Sequence, residues 1–402
     1  MRIYSADVQE TLRARKLLKD WAGEGFITKA QYELLEKETP SELRTTNIFL
    51  RLVLFFFTLV SVGAAVALFF AVFLPRPSQQ TSGVFLLIFG AVCYAAAEVA
   101  VSQARLYRYG IEEALVVCSV GFVCGGIQSA FFSGRYYLPK PDAAQFLVPA
   151  AGAVFSLWIW RRFGFSYAFL AAMIFVLFLP GYWTSSPWAQ HLLVVLFYAT
   201  GLAGVAAVRF RHHFDYLEET YSLAEAMLWL GIYLTTNLQM WSFNLGLQWW
   251  DGTRAGSEFP RPFYWATWIL IWCLPAVVLA RGIRLKDRFV IAVGAIAAIL
   301  TFITNKPYLG WPRHTWDPML MGILLTGVAF FIRRRLVRGP GGIRHGFTAE
   351  RLSGKDKHWM NIASSVFSLS SPHSVTPSPQ TNSPEVRFGG GQSGGGGASS
   401  DF

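Results

Sequence analysis

Thr235, Thr236, Asn237, Gln239, Ser242 and Asn244 crowd one half of a single apolar stretch. Gln128, His191, Thr304 and Asn305 stand at the same depth of other apolar stretches. A polar group buried in hydrocarbon without a hydrogen-bond partner costs about 2–7 kcal/mol, so these side chains must face one another or water. Two uses fit that requirement. The commoner one is hydrogen bonding that glues helices together; the other is a polar pocket opening on one side of a membrane. On helical spacing Thr236, Met240 and Phe243 share one face, while Asn237, Trp241 and Asn244 follow at i, i+4 and i+7 on another. The adjoining loop adds Trp249, Trp250, Asp251, Arg254 and Glu258, a set suited to stacking against and hydrogen-bonding a sugar, a peptide or a lipid headgroup. The candidate ligand-facing residues are therefore Asn237, Asn244, Gln128, His191, Trp249, Trp250, Asp251 and Glu258.

Ionisable groups inside a bilayer are costly and are the next place to look. Glu98, Glu112, Glu113 and Glu225 lie within apolar stretches, each a few residues from the same end. Arg105 is near Glu98, and Arg105 and Arg108 precede Glu112 and Glu113, so ion pairing at the membrane edge accounts for them. No midplane charge pair is present, which weighs against a proton- or cation-coupled transporter. The four cysteines, Cys93, Cys118, Cys124 and Cys273, fall in apolar stretches without C-x-x-C or metal-ligand spacing. There is no H-E-x-x-H, no phosphate-binding G-x-x-x-x-G-K-[ST] loop and no cofactor fingerprint. Ser166 and His191 belong to opposite ends of their stretches, about a bilayer apart, and cannot form a dyad. The residues thus predict no enzyme, no metal and no cofactor.

The elements that position these residues follow from composition. The chain has 402 residues, 53% of them hydrophobic and 15% charged, with a formal charge of +11. Soluble domains carry about 25% charged residues. A soluble enzyme, a disulfide scaffold and a nucleic-acid binder are excluded. Ten apolar segments predict an all-α, polytopic membrane helix bundle of about ten transmembrane helices: 52–74, 83–101, 111–132, 145–160, 165–183, 188–208, 223–245, 262–280, 289–304 and 318–332. An α-helix needs about 20 residues to cross, so the short segments 145–160 and 289–304 leave re-entry open. Counted by loop, 28 of the 35 Lys and Arg residues fall on the side of the N-terminus and 7 on the other. Basic residues favour the cytoplasmic side, which predicts both termini inside, N-in/C-in. Trp183, Trp188, Trp241, Trp249, Trp250, Trp265, Trp268, Trp311 and Trp316 then mark the outer ends, where indoles favour the headgroup level.

Residues 1–48 are too polar at their start for a cleavable signal peptide and read as a cytoplasmic amphipathic helical hairpin. Thr28 and Gln31 form a capping box for its second helix, with Ile27 and Tyr32 placed as a hydrophobic staple. The apolar face within 8–35 is expected to pack on the membrane domain, on the membrane surface or on a second copy. The membrane domain spans 49–332. Within it Pro275 should kink its segment, and Gly121 and Gly125 form a G-x-x-x-G step suited to close helix approach. The tail, 333–402, opens with Arg333, Arg334, Arg335 and Arg338, placed to anchor topology and contact anionic headgroups. It continues into a Ser/Pro/Gly-rich stretch whose composition predicts disorder.

Residues 17–31 carry Trp21, Gly25, Phe26, Ile27, Thr28 and Gln31 in the order W-x-x-x-G-[apolar]-[apolar]-[ST]-x-x-Q, followed by a long apolar run. This resembles the opening of a bacterial family of predicted membrane proteins known only as a domain of unknown function. The resemblance covers about the first 75 residues. The ending 388–399 is similar to glycine-rich tails of various bacterial membrane proteins. Together they imply a multi-pass protein of the bacterial inner (cytoplasmic) membrane and transfer no activity. The sequence therefore leads to a membrane protein that binds or passes a small ligand through an outward-facing polar region. Three alternatives stay open: a secondary transporter, an intramembrane transferase acting on lipid-linked substrates, and a scaffold with a cytoplasmic interaction hairpin.

Overall fold

In a computed structural model the apolar segments form helices, and small residues and local caps decide where those helices start, stop and touch. It describes residues 3–4, 6–39, 43, 46–132, 143–212, 217–240, 259–311, 314, 316–339, 343–344 and 347–348. The described helices are α1 (Ala6–Glu24), α2 (Lys29–Glu38), α3 (Ile48–Phe73), α4 (Gln79–Ser102), α5 (Ile111–Phe131), α6 (Leu147–Phe163), α7 (Ser166–Phe178), α8 (Pro187–Arg211), α9 (Glu218–Thr236), α10 (Arg261–Leu285), α11 (Arg288–Tyr308) and α12 (Asp317–Val337). Single 3₁₀ turns lie at Ala143–Phe146, Leu179–Tyr182 and Leu238–Met240. The strands β1 (Ile343–Arg344) and β2 (Phe347–Thr348) form a two-residue antiparallel ladder after α12. The Ser/Pro/Gly-rich part of the tail lies outside the described residues.

By length and composition α3, α4, α5, α8, α10 and α11 can each cross a bilayer, and the chain is a multi-pass membrane helix bundle. The segment read as 289–304 is longer than its apolar core, because α11 runs on through polar Asn305 and Lys306. Segment 145–160 becomes α6, 17 residues long and preceded by a 3₁₀ turn. The distribution of burial is the reverse of a soluble protein's. Phe56, Phe57, Val60 and Phe73 of α3 are exposed, whereas Glu112, Glu225, Asn237 and Thr304 are fully buried. Only a hydrocarbon solvent stabilises that arrangement.

Neighbours in sequence pack as pairs: α4 on α5, α6 on α7, α8 on α9, and α10 on α11. The G-x-x-x-G expectation needs correction. Gly121 meets nothing within 4 Å, and Gly125 only a leucine methyl at 3.9 Å. Close approach of α4 and α5 rests instead on Gly83 and Gly126; a Cβ on Gly83 would come within 2.2 Å of the Ala130 nitrogen. A sequence pattern shows which glycines share a face, but not which face meets a neighbour.

The hairpin α1–α2 has the expected capping box: Gln31 N donates to Thr28 Oγ1 at 3.3 Å, and Thr28 N donates to Gln31 Oε1 at 2.9 Å. Its apolar stripe is only partly covered. Leu18 is buried, while Leu17, Trp21, Phe26 and Leu34 are exposed. What ties the segment before α1 to the bundle is a short plug. Ile3 N donates to Arg162 O at 2.9 Å, Tyr4 OH donates to Leu106 O at 3.3 Å, and the Tyr4 ring packs edge-on against Tyr107.

Candidate functional site

The polar stretch singled out in the sequence does not continue as one helix. Thr235 and Thr236 turn their hydroxyls back onto Gly231 O and Ile232 O, both at 2.8 Å, and α9 stops there. Such back-bonding competes with the helix, and two β-branched residues followed by Asn are poor helix formers. Asn237 takes a non-helical conformation and Leu238–Met240 form a 3₁₀ turn. α9 therefore ends before Asn237, and Trp241 and Asn244, expected on one face with it, lie outside the described residues. The break points Asn237 into the interface of α9 with α11 instead of along α9.

A chain of hydrogen bonds radiates from that break. Asn237 Nδ2 donates to Tyr233 OH at 3.0 Å and to Thr304 Oγ1 at 2.9 Å. Tyr233 OH lies 2.9 Å from Thr301 Oγ1. Thr301 Oγ1 donates in turn to a carbonyl, with Ile271 O at 2.7 Å and Ala297 O, one turn back on its own helix, at 2.9 Å. The contact with Ile271 has a definite origin. Pro275 sits inside α10 and has no N–H to offer the carbonyl four residues earlier, which is that of Ile271. Thr301 supplies the missing donor from the neighbouring helix, as polar side chains do where proline interrupts a membrane helix.

The direction of this chain matters. A hydroxyl has one hydrogen, so when Thr301 gives its own to Ile271 O or to Ala297 O, it can only accept from Tyr233. Tyr233 is then spent as a donor and can only accept from Asn237, which fixes the amide with Nδ2 toward Tyr233 and Thr304. Asn237 Oδ1 remains a fully buried acceptor with no donor among the described residues. Leaving such an atom unmet costs about 1–3 kcal/mol. Around it, Leu238 N donates to Tyr308 OH at 2.8 Å, Gln239 Nε2 to Tyr264 OH at 3.2 Å, and Tyr264 OH to Tyr308 O at 3.0 Å. His191 Nδ1 lies 2.9 Å from Thr235 O, an acceptor, so the proton of that contact is on Nδ1. Asn305 belongs to a neighbouring contact, where its Oδ1 accepts from Trp268 Nε1 at 3.0 Å.

The expected set is thus divided. His191 of α8 bonds the α9 backbone at Thr235, two residues before Asn237, and Asn237 bonds Thr304 of α11. Gln128 does not join them: it lies on α5, which packs against α3, α4 and α6. Asn244, Trp249, Trp250, Asp251 and Glu258 lie outside the described residues. Arg333, Arg334 and Arg335 lie near the C-terminal end of α12 and Arg338 caps it, all exposed.

The carboxylates form a second region at the opposite ends of these helices. Glu225 of α9 is gripped by Arg209 of α8 at 2.8 Å and by Arg281 of α10. Arg209 also holds Asp287, at 2.6 Å, and Ser222 Oγ donates to Asp287 at 2.5 Å. Asp287 Oδ1 in turn accepts from Phe289 N, at 2.9 Å, and from Val290 N. Glu98 pairs with Arg162 of α6 at 2.8 Å, and Glu113 is held in two-pronged fashion by Arg51 of α3. Glu98, Glu113 and Glu225 are ion-paired as the sequence suggested, but with arginines on other helices rather than Arg105 and Arg108. Asp287 escaped notice because it lies between segments, where an acid needs no explanation. Among the described residues, Glu112 is the one of these four glutamates that makes no ion pair. Its Oε1 accepts from Tyr109 N at 2.7 Å, and its Oε2 is buried without a partner among the described residues.

No group of three or more His, Cys, Asp or Glu suited to a metal occurs among the described residues. The chain matches no protein-family model, no curated protein and no solved structure.

Proposed function

We propose that the protein holds a small polar ligand or cation at the break after α9, approached from the outer side of a bacterial inner membrane. The observation that carries this reading is the unmet acceptor of Asn237, fixed in place by a donor chain that Pro275 polarises. A ligand presenting an O–H, an N–H or a positive charge completes it. In this reading the chain crosses ten times with both termini in the cytoplasm. The grouping of Arg51, Arg162, Arg209 and Arg281 at one common end of their helices supports that topology. The exposed arginines 333, 334, 335 and 338 then meet anionic headgroups, and the Trp21–Gln31 motif supports kinship with the bacterial family of unknown function.

The test is binding by the full chain in lipid nanodiscs, using labelled monosaccharides, amino acids and monovalent cations as probes. Asn237→Leu should weaken the bound probe at least about fivefold, the lower bound from losing one buried hydrogen bond. Gln128→Leu should leave affinity unchanged, since that side chain belongs to another interface. Equal affinity of wild type and Asn237→Leu for every probe bound would defeat the reading. Gradient-driven uptake into proteoliposomes would extend it to a secondary transporter, and turnover of a lipid-linked sugar to a transferase.

A second reading, a membrane scaffold, is favoured by one observation: the exposed Leu17, Trp21, Phe26 and Leu34 of the hairpin. It expects residues 8–35 to hold a partner protein or a second copy, and Trp21→Ala to release it.

A further inference from the structure

Of the four acids that lie within apolar segments at the end of the bundle carrying the paired arginines, Glu112 differs from the other three. Glu98, Glu113 and Glu225 each have an arginine, whereas Glu112 is fully buried and its neighbour Glu113 has taken Arg51. The groups around Glu112 can be named from every side. Glu113 stands beside it on α5, Arg51 on α3 and Tyr167 on α7, while Tyr109 N donates to it from the loop before α5 and Tyr4, itself near Tyr107 and Arg108, comes from the segment before α1. The guanidinium of Arg108 lies over the Tyr107 ring at 5.6 Å. The Tyr167 hydroxyl, close enough to feel the charge of Glu112, is buried without a partner among the described residues, like Glu112 Oε2.

Two further features converge there. The loop is strained: Arg105 and Arg108, neither of them glycine, have φ of 54° and 51°. Gly110, with φ 105°, leaves no room for a Cβ, which would come 2.2 Å from Arg51 O. Strained backbone of this kind persists only where the surrounding packing holds it in place, and it recurs at switch segments. The loop is also what receives the plug, since Tyr4 OH donates to Leu106 O and its ring packs on Tyr107. Burial and the nearby Glu112 charge push the Tyr4 phenol well above the usual tyrosine range, so it stays a neutral donor.

We infer that Glu112 is a proton-binding site whose occupancy decides whether the Ile3–Tyr4 segment stays seated. With the proton on Oε2, the neutral carboxyl tolerates the sealed surroundings. When the proton leaves to water, an uncompensated charge remains beneath Tyr4, and unseating the segment admits water or Arg108 to it. Seating is therefore complete at low pH and lost as pH rises. The N-terminal hairpin, tethered through the same segment, becomes a proton-responsive arm.

Spin labels at Asp7→Cys and Gln103→Cys, in the full chain with its four native cysteines replaced and set in nanodiscs, report the seating. Electron–electron distance measurements across pH 5 to 9 should show one distance at the acid end and a longer population growing with pH. Glu112→Gln should hold the seated distance throughout. Tyr4→Phe, which removes one hydrogen bond and no charge, should lower the seated-to-displaced ratio about fivefold at each pH. An infrared band of a protonated carboxyl, present in wild type at acid pH and missing in Glu112→Gln, should fade with the same midpoint. A wild type with one unchanging distance, or a Glu112→Gln variant that opens with pH as wild type does, overturns the proposal. Should Glu112→Gln fail to insert, a Tyr4→Phe protein that matches wild type at every pH overturns it equally.

Discussion

The two ends of α9 are both polar and both buried, yet they are built on opposite plans. At its start, Arg209 and Arg281 meet Glu225 and Asp287, so two positive charges face two negative ones. Past its end, Asn237, Tyr233, Thr301 and Thr304 form a neutral chain in which the donors run one way and one acceptor is left over. Separating members of a buried ion set strands a charge, at about 3–5 kcal/mol for each broken partnership. Breaking a neutral hydrogen bond costs about 1 kcal/mol net. The charged end is therefore the fixed point of α8, α9, α10 and α11, and the neutral end is where contacts can be exchanged with a ligand.

The sharpest way to break this comparison is at Arg209, among the described residues the cation shared by both acids. Arg209→Met leaves Asp287 buried without a positive partner and Glu225 with Arg281 alone. It should lower unfolding stability in detergent by about 3–5 kcal/mol. A loss under about 1 kcal/mol would remove the distinction between the ends.

The neutral end should respond less, and in a way that depends on Pro275. Thr301→Val takes the donor from Ile271 O and the acceptor from Tyr233 OH, for about 1–3 kcal/mol. In a Pro275→Ala background the new N–H can reach Ile271 O within α10, so the same substitution should cost less. The double-mutant cycle should show a coupling of at least about 0.5 kcal/mol. Additive effects would mean that Thr301 does not answer the proline, and the argument for a polarised chain would fail.

How much of this the sequence disclosed varies by level. The helices were legible because hydrocarbon demands long apolar runs, and the α2 start because Thr28 and Gln31 sit at capping-box spacing. The polar cluster was legible as composition: Asn237, His191 and Thr304 announce themselves among apolar neighbours. Its geometry was not. The end of α9 at Thr236 depends on hydroxyls turning back onto the helix, which residue spacing at 3.6 per turn cannot foresee. The role of Thr301 was hidden because the carbonyl it satisfies belongs to another helix, although Pro275 signalled that some carbonyl would be freed. Ion-pair partners were misread for the same reason. Proximity in sequence favoured Arg105 for Glu98, while helix pairing brought Arg162.

The mildest substitution separates burial from charge as the source of the difference between the ends. Arg288 pairs with Glu219 at 3.0 Å, beside the buried ion set and at the same end, but both side chains are mostly exposed. If charge alone made that end rigid, Arg288→Ala would resemble Arg209→Met. Water screens exposed pairs and offers each partner an equivalent shell, so the expected change is within about 0.5 kcal/mol of wild type. A loss approaching that of Arg209→Met would show that the ion set extends outward as one network, and that desolvation is not what fixes the charged end.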